Sequence, residues 1–366
     1  MKRLSLMLKP ASSLCNMRCQ YCFYCDVSSL RDQSDFGIMT PETRRLILEH
    51  TFSQLAPKDS ITIAFQGGEP TLAGLDWFEQ FTEEVSHLAQ PGIQISYALQ
   101  TNGTLLDDGW LRFLKKYSFL VGLSLDGPRE FHDANRLDTA GKGTFHRIMT
   151  VKENLDRFQV PYNVLMVLTN SMARHPQQVW NFLVKQKIAY VQFVPCLAPL
   201  ESEKTPFALT PKRYADFYTQ LFDLWYPQVC QGRFRSVKLF DDLLNLLALG
   251  EESACGITGK CRGQLIVEAD GSVYPCDFYA LDEWRLGNLR ENTIREVYEA
   301  PQMSLFCSRP RELPEECKSC PYNSVCGCGC PRMFREVFHS PQDGFCGHRA
   351  FLDSAITRLQ GLTRLL

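Results

Sequence analysis

A chain of 366 residues is too long for one ordinary globular domain and long enough for an α/β barrel with an accessory domain. With 45% apolar and 22% charged residues it is neither disordered, nor collagen-like, nor a coiled coil. Its 39 basic and 41 acidic residues leave a net charge of −2, with no basic excess to hold nucleic acid and no charge run to hold a membrane surface.

The first ten residues start basic, but their apolar run stops at Lys9, short of a signal peptide. No apolar stretch reaches the roughly 18 residues of a membrane span. The segment therefore reads as a first strand, Leu4–Leu8, of a cytoplasmic protein. The unusual number is 16 cysteines. Secreted disulfide scaffolds are cysteine-dense, but they are small and poor in core. A longer chain without an export signal keeps its thiols reduced, and clustered reduced thiols bind metal.

Directly after that strand comes Cys15-Asn16-Met17-Arg18-Cys19-Gln20-Tyr21-Cys22, a C-x3-C-x2-C run. Three thiolates can hold three irons of a [4Fe–4S] cube and leave the fourth iron open. A structural zinc site wants four protein ligands instead. Cys25 is a further thiol at poor spacing, and a zinc knuckle is the competing reading.

Strands and helices then alternate. The predicted strands continue with Ile61–Phe65, Ile95–Gln100, Leu120–Leu125, Asn163–Leu168 and Tyr190–Val194. The predicted helices between them are Pro41–Leu55, Leu75–Ala89, Asp107–Tyr117, Phe145–Phe158 and Pro176–Gln186. Thr40 is a good N-cap, with proline at the first helical position and Glu42 beyond it. Repeats of this length predict a parallel sheet with right-handed crossovers, closing into an open or partial barrel of six units. Its functional face lies at the C-terminal strand ends. Those ends carry Gln66-Gly67-Gly68-Glu69-Pro70, Gln100-Thr101-Asn102-Gly103, Ser124 with Asp126 and then Arg136, and Val194 with Leu197.

Lys212–Val229 and Val237–Leu249 read as two more helices. Past residue 250 cysteine, glycine and proline become frequent, which places a boundary between residues 1–234 and 235–366. Gln264–Ala269 and Ser272–Tyr274 flank Asp270-Gly271 as a β-hairpin. The cysteines here run Cys255, Cys261, Cys276, then Cys317-x2-Cys320-x5-Cys326-x3-Cys330, then Cys346. Eight thiols can close two four-thiolate sites, although Cys317-x2-Cys320 is also a common zinc spacing. Cys328 is one thiol too many and could replace a neighbour, and His348 is a further candidate ligand. Arg349–Leu366 has helical spacing.

The first cysteine run, with Tyr21 before its last cysteine, resembles the signature of the radical S-adenosylmethionine (SAM) superfamily. The resemblance implies that SAM chelates the open iron. A reduced cluster then cleaves it to methionine and a 5′-deoxyadenosyl radical, which takes a hydrogen atom from the substrate. It also implies that Gln66, Gly67, Gly68 and Glu69 hold the methionine end, that Ser124 and Arg136 hold its carboxylate, and that Leu197 packs on the adenine. The second half resembles the SPASM domain. By that pattern Cys255, Cys261, Cys276 and Cys330 ligate one auxiliary [4Fe–4S] cluster, and Cys317, Cys320, Cys326 and Cys346 a second, making three clusters with the first. Cys25, Cys196, Cys230, Cys307 and Cys328 are left over.

A finer resemblance, to anaerobic sulfatase-maturating enzymes, covers nearly the whole chain. It rests on Lys9-Pro10-Ala11-Ser12-Ser13, Cys22-Phe23-Tyr24, Phe65 through Gly74, Leu99 through Thr104, Val121 through Pro128, Asp270 through Tyr279 and Trp284 through Asn288. It implies oxidation of a sulfatase cysteine or serine to Cα-formylglycine. Asp277, beside cluster ligand Cys276, would be the base, and Tyr24, Gln66 and Asn102 would meet the substrate. The implied partners are a sulfatase polypeptide bearing Cys/Ser-x-Pro-x-Arg and a reductant such as flavodoxin or ferredoxin. The competing readings are a SPASM enzyme that forms thioether or carbon–carbon crosslinks, and a non-catalytic iron–sulfur electron carrier.

Overall fold

The computed structural model describes residues 2–201 and 205–363. Its strands are β1 Arg3–Leu8, β2 Ser60–Phe65, β3 Gln94–Thr101, β4 Leu120–Ser124, β5 Tyr162–Leu168, β6 Tyr190–Pro195, β7 Ser236–Val237, β8 Ile266–Val267, β9 Ser272–Tyr274 and β10 Gly287–Asn288. The chain falls into two compact units. One comprises Met1–Leu125, Asp133–Tyr162 and Gly263–Ser308; the other Asp126–His132, Asn163–Arg262 and Arg309–Leu366.

In the first unit the strand order is β10-β9-β8-β1-β2-β3-β4. β1 to β4 run parallel, and β8 joins the free side of β1 in the same direction. The predicted alternation is what builds this. Helices Pro41–Phe52, Leu75–Leu88 and Asp108–Lys116 each return the chain to the start of the next strand. Thr40 caps the first of them, its side chain accepting from the Thr43 N–H at 3.1 Å. On β2, Ile61, Ile63 and Phe65 are buried while Thr62 is exposed, so one sheet face is packed and the other open. The packed face is aromatic: Phe65 lies 4.8 Å from Phe78 and 5.0 Å from Phe81 between ring centroids. Each such buried side chain stabilises by about 1.5–3 kcal/mol.

Two differences from the sequence reading bear on the site. A helix, Phe23–Ser29, follows Cys22 directly, although its residues are weak helix formers and Cys22 provides no side-chain cap. Tertiary packing holds it instead, with the Phe23 ring 5.0 Å from Phe278. The hairpin forms at Asp270-Gly271 with Val267 opposite Val273, but β8 ends at Val267. The next residue, Glu268, turns its carboxylate into the interior beneath Lys9 and Arg31.

The second unit contains the parallel order β5-β6-β7. Helices Pro211–Cys230 and Gly347–Thr363 pack together through Phe222 and Phe351, with Phe240 5.2 Å and 5.8 Å from them respectively. A Cβ at Gly347 would sit 2.0 Å from the Pro211 carbonyl, so glycine is what lets the two helix starts touch. The last three residues of the predicted C-terminal helix lie outside the described residues. Short turns, Glu315–Lys318, Asn323–Cys326 and the π-turn Phe334–Phe338, fill the cysteine-rich stretch where no element was expected.

Candidate active site

The cysteine loop after β1 and the glycine loop after β2 are zipped together by their backbones. Gln66, Gly68 and Glu69 donate to the carbonyls of Leu8, Ser12 and Leu14 at 3.0, 3.0 and 2.7 Å. Glycine is required for that approach: a Cβ at Gly68 would lie 2.1 Å from the Leu14 oxygen, and one at Gly67 2.8 Å from the Ser12 oxygen. Gly68→Ala is therefore expected to part the loops, lowering anaerobic thermal stability by at least about 1–3 kcal/mol. Weakened SAM retention by equilibrium dialysis should accompany it. An unchanged melting temperature with unchanged SAM retention would show that the contact gives way freely.

Glu69 is buried and spends its carboxylate on the protein. Oε1 accepts from Thr71 N and Oγ1 at 3.1 and 2.6 Å and from Thr101 Oγ1 at 2.7 Å, and Oε2 accepts from Asn102 N at 2.7 Å. Burial raises its carboxyl above the ordinary range, against the pull of those hydrogen bonds. Glu69 thus ties the ends of β2 and β3 together. Any cationic ligand here must share Oε2 or use loop carbonyls.

Asn102 goes to the cysteine loop rather than to Tyr24 and Gln66. Its amide donates to Asn16 Oδ1 at 2.9 Å and stands 3.9 Å from Cys15 Sγ, while its Oδ1 accepts from Thr104 N and Oγ1. The buried Asn102 amide is thus engaged with the residues that flank Cys15 and with Thr104. Cys15, Cys19 and Cys22 are all half-buried. A hydrogen bond from Cys25, with backbone N–H groups and Arg136 assisting against burial, holds the Cys22 thiol down to about 6, which favours a thiolate there. Ser124 accepts from Gln100 Nε2 at 3.1 Å, and the Arg136 guanidinium lies 5.7 Å from the Tyr21 ring centroid.

The helix Phe23–Ser29 carries Tyr24 to Asp277, which opens a 3-10 turn directly after Cys276. Tyr24 Oη stands 2.6 Å from Asp277 Oδ2 and 3.3 Å from Gln66. A phenol has one proton, and the shorter contact takes it. Gln66 must then present its NH2 group to the phenol oxygen. Burial and the adjacent Asp277 push the Tyr24 phenol well above its usual range, so it stays a donor.

Beneath Asp277 lies a charge network that sequence reasoning missed. Lys9 Nζ is 2.9 Å from Asp277 Oδ1 and 3.3 Å from Glu268 Oε1. Glu268 also takes Arg31 Nη1 at 2.6 Å and Ser12 Oγ at 3.0 Å. Burial alone would lower Lys9, but Asp277 and Glu268 outweigh it and hold it above its ordinary value. Burial alone would likewise raise Glu268, but Lys9 and Arg31 hold it below. Two cations and two carboxylates cancel, which is what makes their burial tolerable. Lys9 and Glu268 have side chains 3% and 1% exposed, and Asp277, at 13%, forms the accessible edge. The available signal was Lys9 and Glu268 as single charges bordering apolar strand residues.

In the second unit Cys317, Cys320, Cys326 and Cys346 line one cavity with Phe334, Phe338 and His348, and Cys328 lines it too. His348 is engaged by Tyr214 Oη at Nδ1, 2.9 Å away, and burial keeps it neutral by lowering it to about 4. Cys255 is pushed up to about 11 by burial and then by Cys330 and Cys261 nearby. A Cβ at Gly256 would come within 3.0 Å of Cys330 Cβ, so this loop lies against that cysteine. Cys276 belongs to the first unit, and Leu197 is half-buried in the second, after β6. Among the described residues no three His, Cys, Asp or Glu side chains gather for a single ion. The second-unit thiols line a wall, and an all-sulfur donor set of this kind suits an iron–sulfur cube.

Comparison with known proteins agrees with this geometry. The family described as the radical SAM superfamily matches residues 10–177, and the iron–sulfur cluster-binding SPASM domain matches residues 255–321. A cysteine-type anaerobic sulfatase-maturating enzyme of Clostridium novyi (strain NT) is 39% identical, over 100% of this chain and 99% of the relative. One from Clostridium perfringens (strain ATCC 13124) is 42% identical over 91% of this chain and 90% of its own. A solved structure described as native anSMEcpe with bound AdoMet and Kp18Cys peptide superposes with a TM-score of 0.91 at 38% identity, covering 100% of both chains. SAM and iron–sulfur clusters are accordingly the cofactors. With cysteine motif, glycine loop and SPASM segment in one continuous match, the chain belongs to the anaerobic sulfatase-maturating enzymes of the radical SAM superfamily.

Proposed function

We propose that this chain oxidises Cβ of a cysteine in an unfolded sulfatase segment, Cys-x-Pro-x-Arg, to Cα-formylglycine, with Asp277 as the base. In this reading residues 1–234 generate the radical and residues 235–366 bind two auxiliary [4Fe–4S] clusters through eight cysteines, making three clusters in all. A flavodoxin- or ferredoxin-type reductant serves them in the cytoplasm. Among the described residues no helix is long and apolar enough to cross a membrane.

The observation that carries the reading is Asp277 itself. It stands directly after Cys276, is fixed by Tyr24 and Lys9 at 2.6 and 2.9 Å, and keeps one accessible edge. Bound SAM and the cluster at Cys15, Cys19 and Cys22 would supply a 5′-deoxyadenosyl radical. Asp277 would take the thiol proton of a substrate whose Cβ hydrogen atom that radical removes, and an auxiliary cluster would supply the acceptor for the remaining electron. The resulting carbon–sulfur double bond is hydrolysed to the aldehyde with release of hydrogen sulfide. Serine would lose the same particles and give the aldehyde directly. The substrate preference is drawn from the cysteine-type relatives. Tyr24 and Gln66 would position the substrate sulfur beside Asp277. Ser124 and Arg136 would hold the SAM carboxylate, Gly67 and Gly68 would let its methionine end approach the backbone, and Leu197 would face the adenine.

The test is anaerobic incubation of the reconstituted, reduced protein with SAM and paired peptides, Cys-x-Pro-x-Arg and Ser-x-Pro-x-Arg. Aldehyde on the cysteine peptide, together with 5′-deoxyadenosine, is expected by mass spectrometry. Crosslinked peptide without aldehyde would move the chain to the thioether or carbon–carbon class. No 5′-deoxyadenosine at all would leave an electron carrier.

A further inference from the structure

We propose that Cys328 is a fifth thiol of the second auxiliary iron–sulfur site, able to replace Cys317 as a ligand. The inference rests on reading Cys317, Cys320, Cys326 and Cys346 as that site's ligands.

Cys328 is not an incidental thiol near the cavity. It lines the same cavity as those four, and it packs with Cys317 and Phe334 in one buried cluster, itself 3% exposed. Of the five thiols, only Cys317 and Cys328 belong to that buried cluster. Cys317 is therefore the partner, rather than Cys326 or Cys330, which flank Cys328 in sequence.

The backbone adds a second, independent reason. Gly327, Cys328 and Gly329 have φ of +47°, +65° and +63°, a left-handed run of three. A residue with a Cβ costs about 1–2 kcal/mol in that region, whereas glycine does not. Glycine occupies both neighbouring positions but not the middle one. Arg311 holds the turn from outside, donating to the carbonyls of Gly259 at 2.7 Å, Cys328 at 3.3 Å and Gly329 at 2.8 Å. A strained, clamped turn thus presents a thiol to a cavity that already has enough thiols for four irons. A cube takes one thiolate per iron, so Cys328 would take the place of Cys317 rather than add to it.

The test measures iron and acid-labile sulfide per chain, with electron paramagnetic resonance of the reduced protein. The variants are Cys328→Gly, Cys317→Ala, the double substitution and Cys320→Ala. Glycine at 328 relieves the backbone, so loss of the thiol is separated from loss of the fold. Each of the first two variants is expected to keep its full iron, Cys317→Ala with an altered cluster signal. The double variant is expected to lose one cluster's iron. If Cys317→Ala alone loses as much as the double, or if the double loses nothing, Cys328 does not substitute. If Cys320→Ala keeps its full iron, the ligand set itself is wrong, and the inference falls with it.

Discussion

Asp277→Asn is expected to abolish formylglycine formation while SAM cleavage continues. Asparagine keeps the size of the side chain and can still accept the Tyr24 hydroxyl, which lies 2.6 Å from Asp277 Oδ2. It cannot take a proton from the substrate thiol. A positioned base contributes about 10²–10⁴-fold, and in the proposed reaction the lost proton also lets the substrate radical give up its electron as a neutral product. 5′-Deoxyadenosine should therefore still accumulate, and iron content should be unchanged, because the cysteines are untouched. Chromatography of 5′-deoxyadenosine beside peptide mass spectrometry separates the two outputs. Full aldehyde yield from the variant would remove Asp277 from the chemistry.

Lys9→Met is expected to destabilise the holoprotein strongly and to uncouple it. Methionine keeps the length of the stem and loses the charge, leaving Asp277 and Glu268 with Arg31 as their single counter-ion. Breaking a buried pair in this way costs about 3–5 kcal/mol. Because Arg31 and Glu268 remain 2.6 Å apart, the double variant Lys9→Met/Asp277→Asn removes one charge of each sign and leaves a neutral pair. It should recover most of the lost melting temperature while remaining unable to make aldehyde. Additive losses in the double would show that Lys9 and Asp277 do not act as a pair. Lys9→Met alone should still cleave SAM at a lower yield of aldehyde per 5′-deoxyadenosine; a wild-type ratio would confine Lys9 to stability.

The repeating strands, the capped helix at Thr40 and the Asp270-Gly271 hairpin were legible because their signals are local. Periodicity, a cap and a turn each sit within a few residues. The spacing of Cys317, Cys320 and Cys326 suggested that they gather, and they line one cavity with the distant Cys346. The Lys9–Glu268–Arg31 network was not, because in sequence each charge looks like a solvated one, and only the pairing of β8 with β1 brings them together. Helix Phe23–Ser29 was hidden for a related reason: its stability comes from Phe278, far along the chain. The partners of Asn102 were not legible either, since a strand-end asparagine suits many acceptors as well as it suits Asn16 and Thr104.

β8 beside β1 has a consequence for how the enzyme is made. The two strands share hydrogen bonds from Met7 N to the Leu265 carbonyl at 2.9 Å and from Lys9 N to the Val267 carbonyl at 2.8 Å. On the ribosome β1 emerges early, and β2 can pair with one side of it well before β8 exists. Until then its other edge is bare and Lys9 has neither carboxylate, which is a template for wrong pairing between nascent chains. Synthesis past Val267 closes that edge, and the same event delivers Asp277.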